Sequence, residues 1–313
     1  MTAATPITSA DYSHDLLVHE CDEELVAGIG GFVEQGLASG GQVLVHSTQE
    51  RVTMLHAILG EHPRLVYGLD SDLYLSPSST LFAYQRQLAE SPGPTALWAT
   101  GTVPLGDDAR GHPAWARYES LVNEVLGRYS FHGLCTYDAR VLPATTIAAA
   151  RATHPCVCAG SLRTESPEYE TPAAFLANPL AGVPEPPTTP PAFTRTVHGP
   201  QDMEGVRRLV RLAAGRDAMP LETRNGLVSA VNEVLANGLE HGGLPVRVSM
   251  WVQPSALLCE VVDSGPGIDD PMAGYRYPDP WGSRGLWVAR QMCENVFVRN
   301  LPGGGCSVLL TTA

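Results

Sequence analysis

The chain has 313 residues, room for two domains at roughly 100–200 residues each. With 44% apolar and 17% charged residues its composition is that of a globular protein, which excludes collagen-like and tail-like readings. Its 33 acidic against 20 basic residues give a formal charge of −13, so it carries no general counter-charge for a phosphate backbone; direct DNA binding is not expected, and a basic surface on a partner protein fits better.

No apolar run approaches the roughly 18 residues of a membrane helix. The start, Met1-Thr2-Ala3-Ala4-Thr5-Pro6, lacks a basic stretch followed by an apolar one, so no membrane association and a cytoplasmic location are expected. Seven cysteines, an odd number scattered along the chain, do not form a disulfide framework and are expected to be reduced. The one close pair, Cys156 and Cys158 preceded by His154, lacks a second ligand pair at fixed spacing and does not by itself make a zinc motif.

In chain order, residues 16–19, 43–46, 96–100 and 133–137 are short apolar runs that read as buried strands. Residues 22–38, 49–60, 79–90 and 113–129 between them carry helical patterning, with Leu25, Ile29, Phe32, Val33 and Leu37 on one stripe. Strands alternating with helices predict a parallel sheet covered by helices over residues 1–160. No Gly-x-x-x-x-Gly-Lys-Ser/Thr loop occurs, and Gly28, Gly30 and Gly31 fall inside a helical pattern, where they read as close helix packing rather than phosphate binding. His19, Trp98, Glu119, Tyr137 and Asp138 lie at strand ends or beside helix starts, as pocket-lining residues would; each also fits a buried or capping role. From residue 161 to 192 Ser, Thr, Glu and Pro accumulate, ending in Val183-Pro184-Glu185-Pro186-Pro187-Thr188-Thr189-Pro190-Pro191, which reads as a semi-rigid linker. A second domain is expected over residues 193–313.

Several segments of the first region, among them Gly36-Leu37-Ala38-Ser39-Gly40-Gly41, Trp115-x-x-Tyr118-Glu119-x-x-x-Asn123, Cys135-x-Tyr137-Asp138 and Ala152-Thr153-His154-Pro155, resemble the MEDS domain of methanogen and methylotroph DcmR sensory modules. The resemblance implies a RecA-like α/β module without a nucleotide loop, acting as an input domain for a small-molecule signal.

In the second region Leu227, Val231, Leu235 and Leu239 recur every four residues and mark one face of a helix. Glu233, Asn237 and His241 recur at the same spacing and drift by only about 40° per step, so one helix presents a carboxylate, an amide and an imidazole along a second stripe. The apolar strand 257–260 leads to Asp263-Ser264-Gly265-Pro266-Gly267, placing an aspartate at a strand end with glycines after it. Gly282-Ser283-Arg284-Gly285-Leu286 then reads as a glycine segment opening a helix, whose first amides can cradle phosphate.

In this order the three motifs resemble the N, G1 and G2 boxes of the GHKL ATPase fold, closest in pattern to its RsbW-like anti-sigma factor and serine kinase branch. The resemblance implies a Bergerat α/β sandwich, with a mixed sheet under three helices and ATP held beneath a mobile lid. It assigns Asp263 to the adenine amino group, Gly265 and Gly267 to close approach of the backbone to the base, and Asn237 to Mg²⁺. Glu233 becomes the catalytic general base. Gly282, Arg284, Gly285 and Leu286 lie in or after the lid; Arg284 reaches phosphate or is an exposed lid residue. His241 contacts phosphate or ends its helix.

A sensor histidine kinase needs a phosphoacceptor histidine on a helix pair just before the ATP domain. Here the proline-rich linker, a short strand near residues 194–197 and one helix near 201–215 precede the N box, and His198 stands before a proline-containing segment. The resemblance therefore implies an anti-sigma factor that sequesters a sigma factor and phosphorylates a STAS-type anti-anti-sigma protein on serine, working as a homodimer. A non-catalytic ATP-dependent binding module is the alternative, with a sensor histidine kinase behind it.

Overall fold

The computed structural model describes residues 12–90, 95–105, 112–159, 162–177, 182–215, 219–254, 256–276 and 284–312. The chain divides into two compact units, residues 1–182 and 183–313. Among the described residues no helix is long and apolar enough to cross a membrane.

The first unit starts with β1 (Tyr12–His19), α1 (Asp22–Ala38), β2 (Gln42–Ser47), α2 (Gln49–Leu59), β3 (Leu65–Leu69) and the short α3 (Asp70–Leu73). It continues with α4 (Pro77–Glu90), β4 (Leu97–Gly101), α5 (His112–Val125), β5 (Phe131–Asp138), α6 (Ala144–Thr153), β6 (Cys156–Ala159), β7 (Leu162–Glu165) and α7 (Pro172–Ala177). The seven strands form one sheet in the order β3-β2-β4-β5-β1-β6-β7, parallel except for β7. Asp22, Glu23 and Glu24 open α1, where carboxylates offset the helix dipole. Its apolar stripe packs with α2 on one sheet face, against Leu17, Val43, Val45, Trp98 and Leu134. On the other face α5 brings Glu119 to His14 of β1 and Cys135 of β5.

The four expected strands and four long helices all form. Close packing holds for one of the three helical glycines: a β-carbon at Gly28 would stand 2.4 Å from Leu17 Cδ2, whereas one at Gly30 would meet Leu59 at an ordinary 3.6 Å and Gly31 faces open space. The first unit extends past the expected boundary at residue 160. β7 pairs with β6, the Arg163 guanidinium grips Asp15 through two hydrogen bonds of 2.7 and 3.0 Å, and Phe175 of α7 is fully buried against Ala149 and Ala152. The extended stretch that remains starts near residue 182. It is anchored on the second unit, where Trp251 Nε1 donates to Thr189 O and Glu185 pairs with Arg299.

The second unit comprises β8 (Phe193–Val197), a 3₁₀ turn (Pro200–Asp202), α8 (Met203–Ala214), α9 (Leu221–Glu240), β9 (Val246–Gln253), β10 (Ala256–Val262), α10 (Gly285–Met292), β11 (Asn295–Asn300) and β12 (Cys306–Thr311). Its sheet runs β11-β12-β10-β9-β8 with every pair antiparallel, so the mixed sheet implied by resemblance is not found. β9 to β12 are joined by short connections or pair after a return past α10, which permits antiparallel neighbours throughout. Leu227, Val231 and Leu235 of α9 are buried on Val248, Met250, Leu257, Cys259 and Val261, each such leucine contributing about 1.5–3 kcal/mol by burial.

Candidate nucleotide site

The site lies where the C-terminal half of α9 meets the ends of β10 and β12. β10 ends at Val262, and Asp263 follows with its amide donating to Cys306 O at 3.0 Å, which pins the aspartate between the two strands. Asp263 Oδ1 accepts from Gly265 N at 2.8 Å; among the described residues no hydrogen bond engages Oδ2. Four glycines let three backbone segments converge here. β-carbons at Gly242, Gly243 and Gly265 would meet backbone or the Asp263 side chain within 2.6–2.7 Å, and one at Gly305 would stand 2.4 Å from Asp263 O. Gly303, Gly304 and Gly305, with φ of 92°, 101° and 102°, turn the chain between β11 and β12 in a conformation that side chains disfavour.

Around Asp263 opens a cavity of about 160 Å³. Val261, Cys306 and Val308 form its floor, Asn237, Gly238 and His241 one wall, and Gly267, Ile268 and Leu286 the rim opposite. Burial pushes the Cys306 thiol up to about 11, so it faces the cavity as a neutral group. Gly267, at φ 90°, is pressed against Asn300, whose amide accepts from Ile268 N at 2.8 Å and donates to Ile268 O at 3.0 Å. This two-way clasp ties the loop after Asp263 to the end of β11. Farther along the rim, the buried Arg290 donates to Ala273 O at 3.2 Å and Val296 O at 2.6 Å and lies 3.5 Å from the Tyr275 ring centroid.

Of the residues singled out from the sequence, Asn237, His241, Asp263, Gly267 and Leu286 line this cavity. Gly265 adjoins it in a different role, giving room to Gly242 and Gly243 rather than to a ligand. Gly285, the first residue of α10, abuts the Asn237 amide. Arg284 is the N-cap of α10, and Gly282 lies outside the described residues. His241 is the C-cap of α9, its side chain 61% exposed and 3.9 Å from the Glu240 carboxylate. Glu233, one turn before Asn237, is half-buried and is not among the cavity-lining residues. The apolar rim, Ile268 and Ala273, carried no sequence signal, because it is gathered by the Asn300 and Arg290 clasps from distant positions.

Residues 13–155 match the MEDS family, the methanogen/methylotroph DcmR sensory domain, and residues 198–312 match the histidine kinase-like ATPase domain. The chain joins a MEDS sensory domain to a histidine-kinase-like ATPase domain. No curated protein matches it. Among solved structures it is similar to the histidine kinase domain from Erythrobacter litoralis EL346 blue-light activated histidine kinase, at 22% identity and a TM-score of 0.25. That match covers 35% of this chain and 58% of the other, less than two thirds of its length.

The ATPase family implies ATP as ligand, commonly with Mg²⁺, and the cavity suits such a guest. Its lining is mostly apolar, as a purine ring requires, and the Asp263 carboxylate supplies an acceptor among few other polar groups. In the MEDS domain, Trp98 is core. Asp138 is held well below the usual carboxylate range by hydrogen bonds from Arg140, reinforced by Arg51. Tyr137 and Glu119 meet, with the phenol donating to Oε1 at 3.1 Å.

Proposed function

We propose that the chain is a signalling regulator whose ATPase domain sequesters a sigma factor and, in the alternative complex, phosphorylates a STAS-type anti-anti-sigma protein on serine, under control of the MEDS domain. The observation that carries this reading is what lies between the extended stretch and α9. Among the described residues it is one strand, a 3₁₀ turn and the 12-residue α8, and neither the strand nor the helix holds a histidine, whereas a histidine kinase needs a phosphoacceptor on a helix pair. His198 sits outside any helix, its amide bonded to Asp202 Oδ2 at 2.9 Å.

Asp263 would receive the adenine amino group, and the N-terminal amides of α10 beside Asn237 would receive phosphate oxygens. Mg²⁺ held through the Asn237 amide oxygen would neutralise charge on the transferred group. The serine oxygen bonds to the γ-phosphorus as the bond to the β-γ bridging oxygen breaks, ADP leaves, and the hydroxyl proton passes to Glu233. A homodimer belongs to the same proposal.

The position of Glu233 outside the cavity lining favours a second reading, an ATP-dependent binding module that titrates its partner without phosphorylating it. Calorimetric titration of Mg-ATP into wild type and Asp263→Asn, followed by γ-labelled ATP with candidate partners, separates these. Acid-stable label on the partner, lost in Glu233→Ala, supports the kinase. Sequestration unchanged in Glu233→Ala with no label in either protein supports the binding module. Acid-labile label on the chain itself sinks both.

A further inference from the structure

Beneath α5 in the MEDS domain four ligating side chains converge: His14 from β1, Glu119 from α5, Cys135 from β5 and His154 at the end of α6. His14 Nε2 lies 3.2 Å from Glu119 Oε2, Cys135 Sγ lies 3.4 Å from both, and His154 Nε2 lies 3.7 Å from the same carboxylate oxygen. All four ligand atoms stand within 4.8 Å of one another. Bonds of about 2.0–2.3 Å to a tetrahedral zinc ion put neighbouring ligand atoms about 3.3–3.6 Å apart, so most of these edges already have the length the ion requires.

The surroundings fix the direction of the lone pairs. Asn123 Nδ2 donates to Thr153 O at 2.7 Å, which turns its Oδ1 toward Tyr12 and His14; the 3.2 Å contact to His14 Nδ1 therefore makes that nitrogen the donor. His154 Nδ1 stands 2.7 Å from Ala150 O, an acceptor only, and must also carry its proton. With Nδ1 donating outward, a neutral imidazole at either position turns the lone pair of Nε2 toward Glu119 Oε2, and His154 Nε2, wholly buried, has no hydrogen-bond partner. Glu119 Oε1 is occupied by the Tyr137 phenol, leaving Oε2 for the centre. Gly133, in register opposite His14, makes room for the ring, since a β-carbon there would stand 3.2 Å from His14 Cδ2.

We propose that His14, Glu119, Cys135 and His154 form a closed four-ligand site for a borderline-soft divalent cation of the zinc class. Two neutral imidazoles, a thiolate and a carboxylate around a dication sum to zero charge, which is what a centre buried this deeply can tolerate. Four protein ligands leave no open position, so the site is a structural or sensing one and not hydrolytic. The outer hydrogen bonds from His14 to Asn123, from His154 to Ala150 O and from Tyr137 to Glu119 are the orienting contacts that metal-bound histidines and carboxylates use. Burial raises the free Cys135 thiol, so loading the site releases a proton to solvent as the metal–sulfur bond forms. Cys156 and Cys158 stand apart from it, with Cys158 Sγ 4.0 Å from Asp15 Oδ2.

The test is Co²⁺ and Zn²⁺ titration of the chelator-treated full chain, followed by elemental analysis. One ion per chain, a tetrahedral cobalt spectrum with a thiolate-to-cobalt band, and displacement of that spectrum by Zn²⁺ are expected. The Cys156→Ser/Cys158→Ser variant keeps the band. Cys135→Ser loses it, and Asn123→Ala, which spares all four ligands, weakens zinc binding by about 10–100-fold. No tight ion in the wild type, a six-coordinate spectrum, or a band that follows Cys156 and Cys158 overturns the assignment. The wild-type spectrum decides even where a ligand variant fails to fold.

Discussion

Gly285 rests against the side-chain amide of Asn237 so closely that a β-carbon added at 285 would stand 2.6 Å from Nδ2 and 2.7 Å from Oδ1. The first turn of α10 and the Asn237 amide in the last turn of α9 are therefore set against each other, although 48 positions separate Gly285 from Asn237 in the chain. A methyl group at 285 must turn the amide aside.

Gly285→Ala is accordingly expected to weaken Mg-ATP binding by at least about tenfold, some 1.4 kcal/mol. If the loss runs through Asn237, then Asn237→Ala adds far less in the Gly285→Ala background than alone, which a double-mutant cycle by calorimetry reads directly. Additive losses would show that the two glycine and amide contributions are independent.

Arg290 is buried and holds the carbonyls of Ala273 and Val296 while covering Tyr275. Arg290→Met leaves those carbonyls without their charged donor and should cost about 1.5–3 kcal/mol for a hydrogen bond to a charged group. Denaturant unfolding of the second unit measures this. ATP affinity should fall as well, since Ala273 lines the cavity; an unchanged affinity would show the rim to be held by other contacts.

Burial holds the His46 imidazole below its ordinary value of 6.5, against a smaller opposing pull from Asp70 and Asp72, and it lowers His19 in the same way. Both rings stay neutral in the folded chain while the unfolded chain binds their protons. Their contribution is fully present above 6.5 and is lost as the pH falls from there toward the folded values. In chelator, the stability of the MEDS domain should drop as the pH falls below about 6.5, by up to about 1.4 kcal/mol per pH unit for each histidine. His46→Gln should flatten the curve; a slope identical to wild type would remove His46 from the account.

Gly267 has a φ of 90° and its would-be β-carbon lies 2.6 Å from Asn300 Oδ1. Gly267→Ala pays both for the left-handed backbone and for opening the Asn300 clasp, and about 1–3 kcal/mol is expected from the backbone alone. Comparison with Asn300→Ala, which opens the clasp without the backbone penalty, separates the two in thermal unfolding.

How far the sequence could be read depended on whether a feature was local. The α9 stripe was visible because one helix repeats every four residues, and Asp263 was visible because glycines follow a strand at once. The all-antiparallel sheet was not, since strand direction is decided by how β11 and β12 return past α10. Glu233, Asn237 and His241 shared one spacing, yet only the last two line the cavity, and its apolar rim is gathered by Asn300 and Arg290 from elsewhere. The four-ligand cluster was hidden more deeply still. His14, Glu119, Cys135 and His154 have no common spacing, and it is the parallel register of β1 with β5 that unites them.

The antiparallel β7 also bears on how the sensory half can be studied alone. Proline and serine content invites a cut near residue 160, yet such a fragment would strip β6 of its outer neighbour, unseat Phe175 and leave Asp15 without Arg163, one position from His14. An open strand edge beside an emptied apolar socket is an invitation to self-association. A fragment ending just past α7 keeps that edge sheathed, so the difference between a well-behaved sensory module and a precipitate rests on some twenty residues that look, by composition, like a tether.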